Sequence, residues 1–481
     1  LIVLLNVVSN SLVAQKDTNS IYTSNHIEFI GGWANSNRTP FWNRNLEYGS
    51  VPISSPFSLI RLSSENKHKT GNVSWTGHLE LVAGISDKSI FQLPVSYLSA
   101  EYKNWCIYVG RKKETIGITD TTLSSGSYTW SGNALPIPKI HIGTNGFVPL
   151  PIFKNKVFIN ANIAHGWFGK QQFASNYFLH QKVLYFKFQP RSPFWRVYAG
   201  IVHFAQWGGN APWLIKYNRT DPNGDFPSSF KDFINVFLAR KSSPSMFENQ
   251  LGNHVGSIDF ATSINYGRNN WLLYYQHSIE SRGILSNLPD GLYGISWQIK
   301  QRKNQRLFTK ITLEVLSTLN QNTSYDTTRN VYFNDDYFNH PYQYFDGWTY
   351  QHRVIGNPFI TMRTESQARW FDVRGSYKND AFQQINSNRL IAIYGGLQTQ
   401  LTEKVTLKLR LSTWLSYLSF NPLNGLYQEP VQQFSSSIEL AKKAAILRKG
   451  DITFKIGIDQ GTLLSNTYGG IIHIKYPIHH K

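Results

Sequence analysis

Two methionines, one cysteine and few acids set the first limits on this chain of 481 residues. Cys106 has no partner for an internal disulfide and sits too far from the N-terminus to be a lipid-anchored cysteine. No stretch reaches the ~20 apolar residues that a spanning helix needs, so any passage through a bilayer falls to strands closed into a barrel. Acids are scarce: 29 Asp and Glu stand against 48 Lys and Arg, a formal charge of +19. That excess favours polyanionic partners, namely nucleic acid, anionic lipid or acidic polysaccharide. The cations are spread along the chain, which argues against a basic binding tail.

Leu1 to Val8 are almost all apolar, and Ser9 to Gln15 are small or polar. This is the pattern at the end of a secretory signal, with cleavage expected after Ala14 or Gln15. Residues 1–15 are read as a signal remnant and 16–481 as the exported protein. Export removes nucleic acid as a normal partner.

Aromatics make up 15% of the chain, yet mean hydropathy is −0.33. The apolar residues must therefore be interleaved with polar ones. In Val405–Tyr417, one face carries Val405, Leu407, Leu409 and Leu411, and the other Thr406, Lys408, Arg410 and Ser412. Ile452–Asp459 and Leu307–Val315 alternate likewise, and Val157–Ile163 and Ile391–Leu401 repeat the theme with small residues inside. A soluble sandwich shares this period-two pattern, but three features favour lipid. Charged pairs (Lys408 with Arg410, Lys310 with Glu314) sit mid-strand between apolar neighbours. Aromatics crowd strand ends, as in Trp105–Tyr108, Phe194–Tyr198 and Trp271–Tyr275, where interfacial girdles belong. Long helices of a soluble domain do not intervene. The fold class is therefore all-β, a transmembrane antiparallel barrel with a few short helices; at about 10 residues per strand, ~16 to 20 strands fit.

The last strand is expected over Tyr468–Tyr476. Phe230, Phe233, Ile234, Phe237 and Leu238 follow helical spacing, with Ser228 or Ser229 to cap the start, so a short helix near 229–241 is expected in a long loop or plugging one mouth. Phe57–Leu62 is read as a second short helical piece.

The distinctive strings are Gly-punctuated and unlike generic porin strands. They include PFWNRN (Pro40–Asn45), GRKKETIGITD (Gly110–Asp120), LSSGSYTWSGNALPIPKIHIG (Leu123–Gly143), HGWFG (His165–Gly169) and LHQKVLYFKF (Leu179–Phe188). Further on come GIVHFAQWGG (Gly200–Gly209), GNHVGSIDF (Gly252–Phe260), YYQHSIES (Tyr274–Ser281), DGLYG (Asp290–Gly294) and GWTYQHRVIGNPF (Gly347–Phe359). In this order, from Phe29 to near the C-terminus, they resemble the Wzi-type capsule-assembly family in its Bacteroidetes form. The resemblance implies an outer-membrane barrel of about 18 strands that binds capsular polysaccharide at the cell surface, as a lectin and not as an enzyme. The tail Pro477–Lys481 departs from the usual aromatic ending of a barrel.

The residues are compatible with glycan binding. Sugars stack on planar rings and need fixed hydrogen-bonding groups. Trp130, Trp167, Trp207 and Trp348 lie beside Asn133, His141, His203, His254 and other polar side chains. Arg111, Lys139, Lys182 and Arg353 suit carboxylated sugars. Taken singly, each tryptophan reads better as a girdle residue, and each cation as facing lumenal water. The histidines at 141, 165, 180, 203, 254 and 277 fall one per strand-sized segment without metal-ligand spacing, and are read as satisfied lumenal side chains. No metal or cofactor is expected. Asp221–Asp225 with Asp232 partly imitates a calcium loop, but its glycine is misplaced, so a turn before the helix is the better account.

Two alternatives stay open. A channel for small solutes is motivated by the charged lumen-facing residues. An outer-membrane acyl hydrolase would use Ser125 with His141, among Ser124, Ser127 and Ser131, though no nucleophile elbow surrounds them. The expected partners are surface polysaccharide, of acidic type, and outer-membrane lipid or lipopolysaccharide; the expected state is a monomer.

Overall fold

The structure is a computed structural model. It describes residues 21–190, 194–240, 251–280, 286–299, 310–322, 324–326, 331–333, 335–340, 343–370, 384–418, 429–446 and 449–478. The expected signal remnant, Leu307, and His479 and His480 of the tail lie outside the described residues.

Period-two alternation becomes eighteen staves of one closed antiparallel barrel. They are β1 (Ile21–Ala34), β2 (Phe57–Thr70), β3 (Val73–Ile85), β4 (Ser89–Tyr102), β5 (Trp105–Arg111) and β6 (Lys139–Thr144, resuming at Val148–Pro149). Next come β7 (Val157–Lys170), β8 (Ser175–Phe188), β9 (Trp195–Trp207), β10 (Asn253–Tyr266), β11 (Asn269–Ile279) and β12 (Gly291–Ile299). The circuit ends with β13 (Lys310–Ser317), β14 (Leu390–Thr402), β15 (Val405–Ser416), β16 (Val431–Ile446), β17 (Gly450–Gly461) and β18 (Thr467–Ile478). Closure is explicit in β1, where Phe29 pairs with Ile60 of β2 and with Ile474 of β18. Among the described residues, the barrel sheet leaves no open edge strand.

The outer wall is apolar. Ile107, Ile140, Ile163, Leu184, Ile201, Phe260, Leu313, Ile393, Ile438 and Ile456 all stand exposed on it. Such a band, wrapped around polar inward residues, is what lipid contact demands. Exposed aromatics ring both ends: Trp75, Tyr102, Trp105, Trp195 and Tyr266 at one, Trp33, Phe91, Trp167 and Tyr468 at the other. No helix among the described residues is long and apolar enough to cross a membrane.

The two ends differ in their connections. One has turns as short as residues 71–72, 103–104, 267–268 and 403–404; the other carries segments 35–56, 112–138, 208–252 and 318–389. The described parts of most of those long segments fold back into the barrel. Segment 35–56 contributes the one-turn helix α1 (Phe41–Arg44), all four of whose residues are buried. Segment 318–389 contributes small hairpins, among them Thr349–Tyr350 with Arg353–Val354 and Thr361–Met362 with Ile385–Ser387. Together with segment 112–138 they form a plug whose core includes Phe41, Trp42, Tyr128, Trp130, Phe338, Trp348 and Phe359.

Two local expectations change. Phe57–Leu62 is the start of β2 and not a helix: Phe57, Leu59 and Arg61 point inward while Ser58 and Ile60 point outward. Pairing to β1 and β3 gives its backbone partners on both sides, which a single helical turn cannot match. The helix expected near 229–241 is present as α2 (Phe230–Phe237), capped by Ser229 in a capping box with Asp232. It plugs no mouth. Its Phe233 meets Trp207 and His180, which stand on the outward face of the wall.

Candidate functional site

Inward wall residues clamp the plug by hydrogen bonds. Asp259 of β10 accepts from the Ile118 amide (3.0 Å), the Tyr185 hydroxyl (2.7 Å) and Gln276 (2.8 Å). Gln276 in turn accepts from the Tyr128 amide at 2.8 Å and the Ser127 hydroxyl at 3.1 Å. Glu314 of β13 takes the Ser125 amide at 2.6 Å and the Tyr274 hydroxyl. Asp120 pairs with Lys310 at 2.8 Å and accepts from Ser296 at 2.7 Å. The approach is close enough that a Cβ on Gly117, whose φ is +133°, would lie 2.0 Å from Ser127 Oγ and 2.2 Å from Gln276 Nε2. The Gly-punctuated strings of the sequence are therefore largely the plug and the wall that grips it.

Deeper in the plug, Glu365 holds two buried cations, Arg44 at 3.2 Å and Arg353 at 3.3 Å. Arg353 also donates to Val51 O at 2.7 Å and Asn45 Oδ1 at 3.3 Å. Burial pulls its guanidinium down to about 10, against the upward pull of Glu365. Trp348 donates to Thr129 O at 2.8 Å, and Trp130 stacks on Phe204 at 5.2 Å. Fully burying a tryptophan removes ~200 Å² from water, worth about 5 kcal/mol before entropic costs, so these rings are anchors.

The anticipated site residues divide between two places. Inside lie Arg111, bonded to Pro136 O and Tyr350; Asn133, donating to Val354 O; and Lys139, paired with Glu114 at 2.8 Å and 4.6 Å above the Trp130 ring. His141 stacks on Tyr108 at 4.6 Å. Trp130, Trp348 and Arg353 join them, so all of these are engaged within the molecule. Trp167, Lys182, His203, Trp207 and His254 stand on the outer face instead. Their neighbours Phe168, Gln181, Val202, Phe204 and Val255 are the buried inward positions, and alternation sends the others out.

The same parity corrects the lumenal reading of His165, His180, His203, His254 and His277. His203 Nε2 lies 2.8 Å from His254 Nδ1, and His254 Nε2 lies 2.9 Å from Leu251 O. His277 contacts Tyr275 and Asp290 O on that outer side. Only His141 of the set faces the lumen. No group of three His, Cys, Asp or Glu able to hold a metal occurs among the described residues. Asp221 accepts from the amides of Asn223 (2.9 Å) and Asp225 (2.7 Å), the turn expected there, while Asp232 caps α2. The serines spend their hydroxyls locally: Ser127 donates to Ile116 O, Ser131 to Gly356 O, and Ser125 accepts from Asn357.

Among the described residues, two accessible surfaces adjoin the plug. At the long-segment mouth, the plug presents half-buried Trp213, which donates to Phe173 O, and Trp370, which donates to Thr462 O. Lys216, Gln351, His352 and Arg369 of the same segments are exposed, as is Gln172. Arg369 sits 4.9 Å over the Trp370 ring and Lys216 5.1 Å over Tyr217. Sequence reasoning missed these residues, although tryptophan in the polar, Pro-containing segment at Pro212–Trp213 was a usable signal. Beneath the plug, the lumen is lined by charge: Glu28–Arg61 at 2.7 Å, Arg61–Glu80 at 3.3 Å, Lys113–Glu80 at 2.7 Å and Lys408–Glu439 at 3.6 Å.

No protein-family model matches the chain, and no curated protein matches it in sequence. Among solved structures it is similar to Wzi of Escherichia coli, an outer-membrane protein involved in group 1 capsule assembly and a carbohydrate-binding β-barrel. The TM-score is 0.59 at 13% identity, over 94% of this chain and 85% of Wzi. OccAB2 of Acinetobacter baumannii (TM-score 0.48, 9% identity, 95% of this chain and 98% of that one) and OpdL of Pseudomonas aeruginosa (0.48, 7%, 95% and 98%) follow at a greater distance. At such identities the likeness is one of fold, that of an outer-membrane β-barrel.

Proposed function

We propose that this chain is a Wzi-type protein of the Bacteroidetes branch, resident in the outer membrane, that holds capsular or other acidic surface polysaccharide without catalysing a reaction. The carrying observation is the plug. A lumen whose long-segment half is packed with tryptophan and buried ion pairs serves better as a platform than as a pipe. The carbohydrate-binding character of Wzi, similar in fold, supports the same reading. Short turns at one end and long segments at the other favour the plugged mouth as the cell-surface side. Glycan then meets the rim, where Trp213 and Trp370 offer rings and Arg369, Lys216, Gln172 and Gln351 offer charge and hydrogen bonds. Of the twelve residues anticipated from sequence, the seven inside act by holding the plug in place.

The test is binding of detergent-purified protein to acidic surface polysaccharide across a salt series. Saturable binding that weakens with salt, and falls ~10-fold or more in Trp213→Ala and Trp370→Ala, is expected if each ring contributes about 1.4 kcal/mol or more. Binding absent at every salt concentration sinks the lectin reading. The charge-lined half beneath the plug favours a second reading, a channel for small solutes. Planar-bilayer recordings separate the two, since a plugged barrel passes little current.

A further inference from the structure

The wall of β7 to β10 is covered on its lipid side by α2, and the cover is firmly built. Phe233 reaches His165 (6.4 Å between ring centroids), His180 (5.6 Å) and Trp207 (5.8 Å), and Phe237 reaches His180 at 5.2 Å. Val236 is fully buried with Ala205, Trp207 and Leu251. The Ser229–Asp232 capping box fixes the first turn, and Lys182 Nζ donates to the Phe237 carbonyl at the last. The covered wall is unusual for one facing lipid. Both ring nitrogens of His180, Nδ1 of His203 and Nε1 of Trp207 are buried there without a hydrogen-bond partner. Left bare, this polar strip would meet hydrocarbon, which barrel walls avoid.

Only half of the helix's apolar surface is used in that docking. Phe233, Val236 and Phe237 face the wall, whereas Phe230, Ile234 and Leu238, one stripe at i, i+4 and i+8, are 79%, 38% and 47% exposed. This free stripe lies where β8 and β9 approach the long-segment end. Trp167 of the aromatic girdle stands at that level on β7, and Leu184, Ile201 and Phe260 of the apolar band lie below it on β8, β9 and β10. Lys231, next to the stripe, is exposed, as expected at headgroup level.

We propose that α2 is a lipid-seated collar: its Phe230–Ile234–Leu238 edge takes the acyl chains of the surrounding leaflet and replaces the aromatic girdle over β8 to β10. The segment that carries it also ties lipid to plug. Before α2, Trp213 packs on Phe345 at 4.8 Å, Phe226 on Tyr344 at 5.3 Å, and Tyr344 donates to Gly208 O. One connection thus runs from the inside of the mouth, over the rim, to the outer wall.

The proposal rests on the membrane reading above, and its test separates the two. On a Cys106→Ser background, single cysteines replacing Phe230, Ile234, Ile201 or Asn223 carry an environment-sensitive fluorophore. The protein is reconstituted in phosphatidylcholine vesicles containing lipids with a nitroxide on the acyl chain. Labels at 230 and 234 should be quenched by the nitroxide several-fold more than the label at 223, and shielded from aqueous iodide. If 201 is quenched while both 230 and 234 behave like 223, the collar is overturned and the barrel stands. If 201 is not quenched either, the membrane reading falls and takes the collar with it.

Discussion

The two halves of the lumen are held by ion pairs of opposite character. Near the plug core, Glu365, Arg44 and Arg353 are 3%, 2% and 5% exposed and share one carboxylate oxygen. Below, Lys408 and Glu439 are each 21% exposed and 3.6 Å apart, while Glu28, itself 5% exposed, is shared among Arg61 (10%), His26 (16%), His473 (29%) and Lys475 (44%). Buried charges cost several kcal/mol of desolvation and must be paired, whereas hydrated ones contribute little either way. The upper set therefore fixes one arrangement of the plug, and the lower set grades from the buried Glu28–Arg61–Glu80 chain to partly exposed pairs such as Lys408–Glu439. Packing and electrostatics have been assigned to different ends of one barrel.

The sharpest way to break that contrast is Glu365→Ala. It orphans two buried guanidinium groups, and a loss of ~3–5 kcal/mol is expected, read as a fall in apparent Tm together with a rise in bilayer conductance as the plug loosens. Unchanged conductance would mean that the plug does not depend on its buried ions. A smaller effect belongs to Arg61→Met in the lower set. Glu28 keeps its histidines and Lys475, and Glu80 keeps Lys113, so about 1–2 kcal/mol is expected, with no leak. Smaller still is Lys408→Gln, whose partly exposed pair is worth about 1 kcal/mol and should fade with salt. If Lys408→Gln destabilised as much as Glu365→Ala, the lower half would have to be as dry as the upper.

Legibility in the sequence follows the same division. The barrel was readable because lipid outside and water inside impose strict alternation, as in Val405–Ser416, where Leu411 is exposed and Ser412 buried. Lys408, Arg410, Lys310 and Glu314 were correctly placed inward on that basis. The plug was visible only as strings unlike porin strands, since irregular backbone has no period to read. Face assignment failed for His180 and His203. A polar residue on a strand defaults to the lumen, and only a helix from a distant loop makes the outer face tolerable for it. The helical spacing and N-cap of α2 were local and legible; the surface it docks on was not.

Two carboxyls outside the spanning strands offer the finest test, because their titrations have opposite signs. Glu280, beyond the end of β11, accepts from the Phe338 amide at 2.7 Å and the Tyr128 hydroxyl at 3.0 Å. Burial pushes it well above the ordinary carboxyl range, despite those two bonds. Its folded value exceeds its unfolded one, so its stabilisation is complete below the ordinary value of about 4.3 and is lost as pH rises through the folded value. For Glu114, burial also pushes upward, but Lys139 overcomes it and holds the carboxyl below its ordinary range. Its contribution is therefore present above the ordinary value and lost as pH falls through the folded one. Apparent Tm measured from about pH 4 to about pH 9 should show Glu280→Gln equal to wild type in acid and increasingly more stable toward alkali. Glu114→Gln should be less stable than wild type near neutrality, with the gap closing in acid. Parallel curves for Glu280→Gln and wild type would mean that water reaches the upper edge of the plug, and the contrast between a packed half and a wet half would lose its boundary.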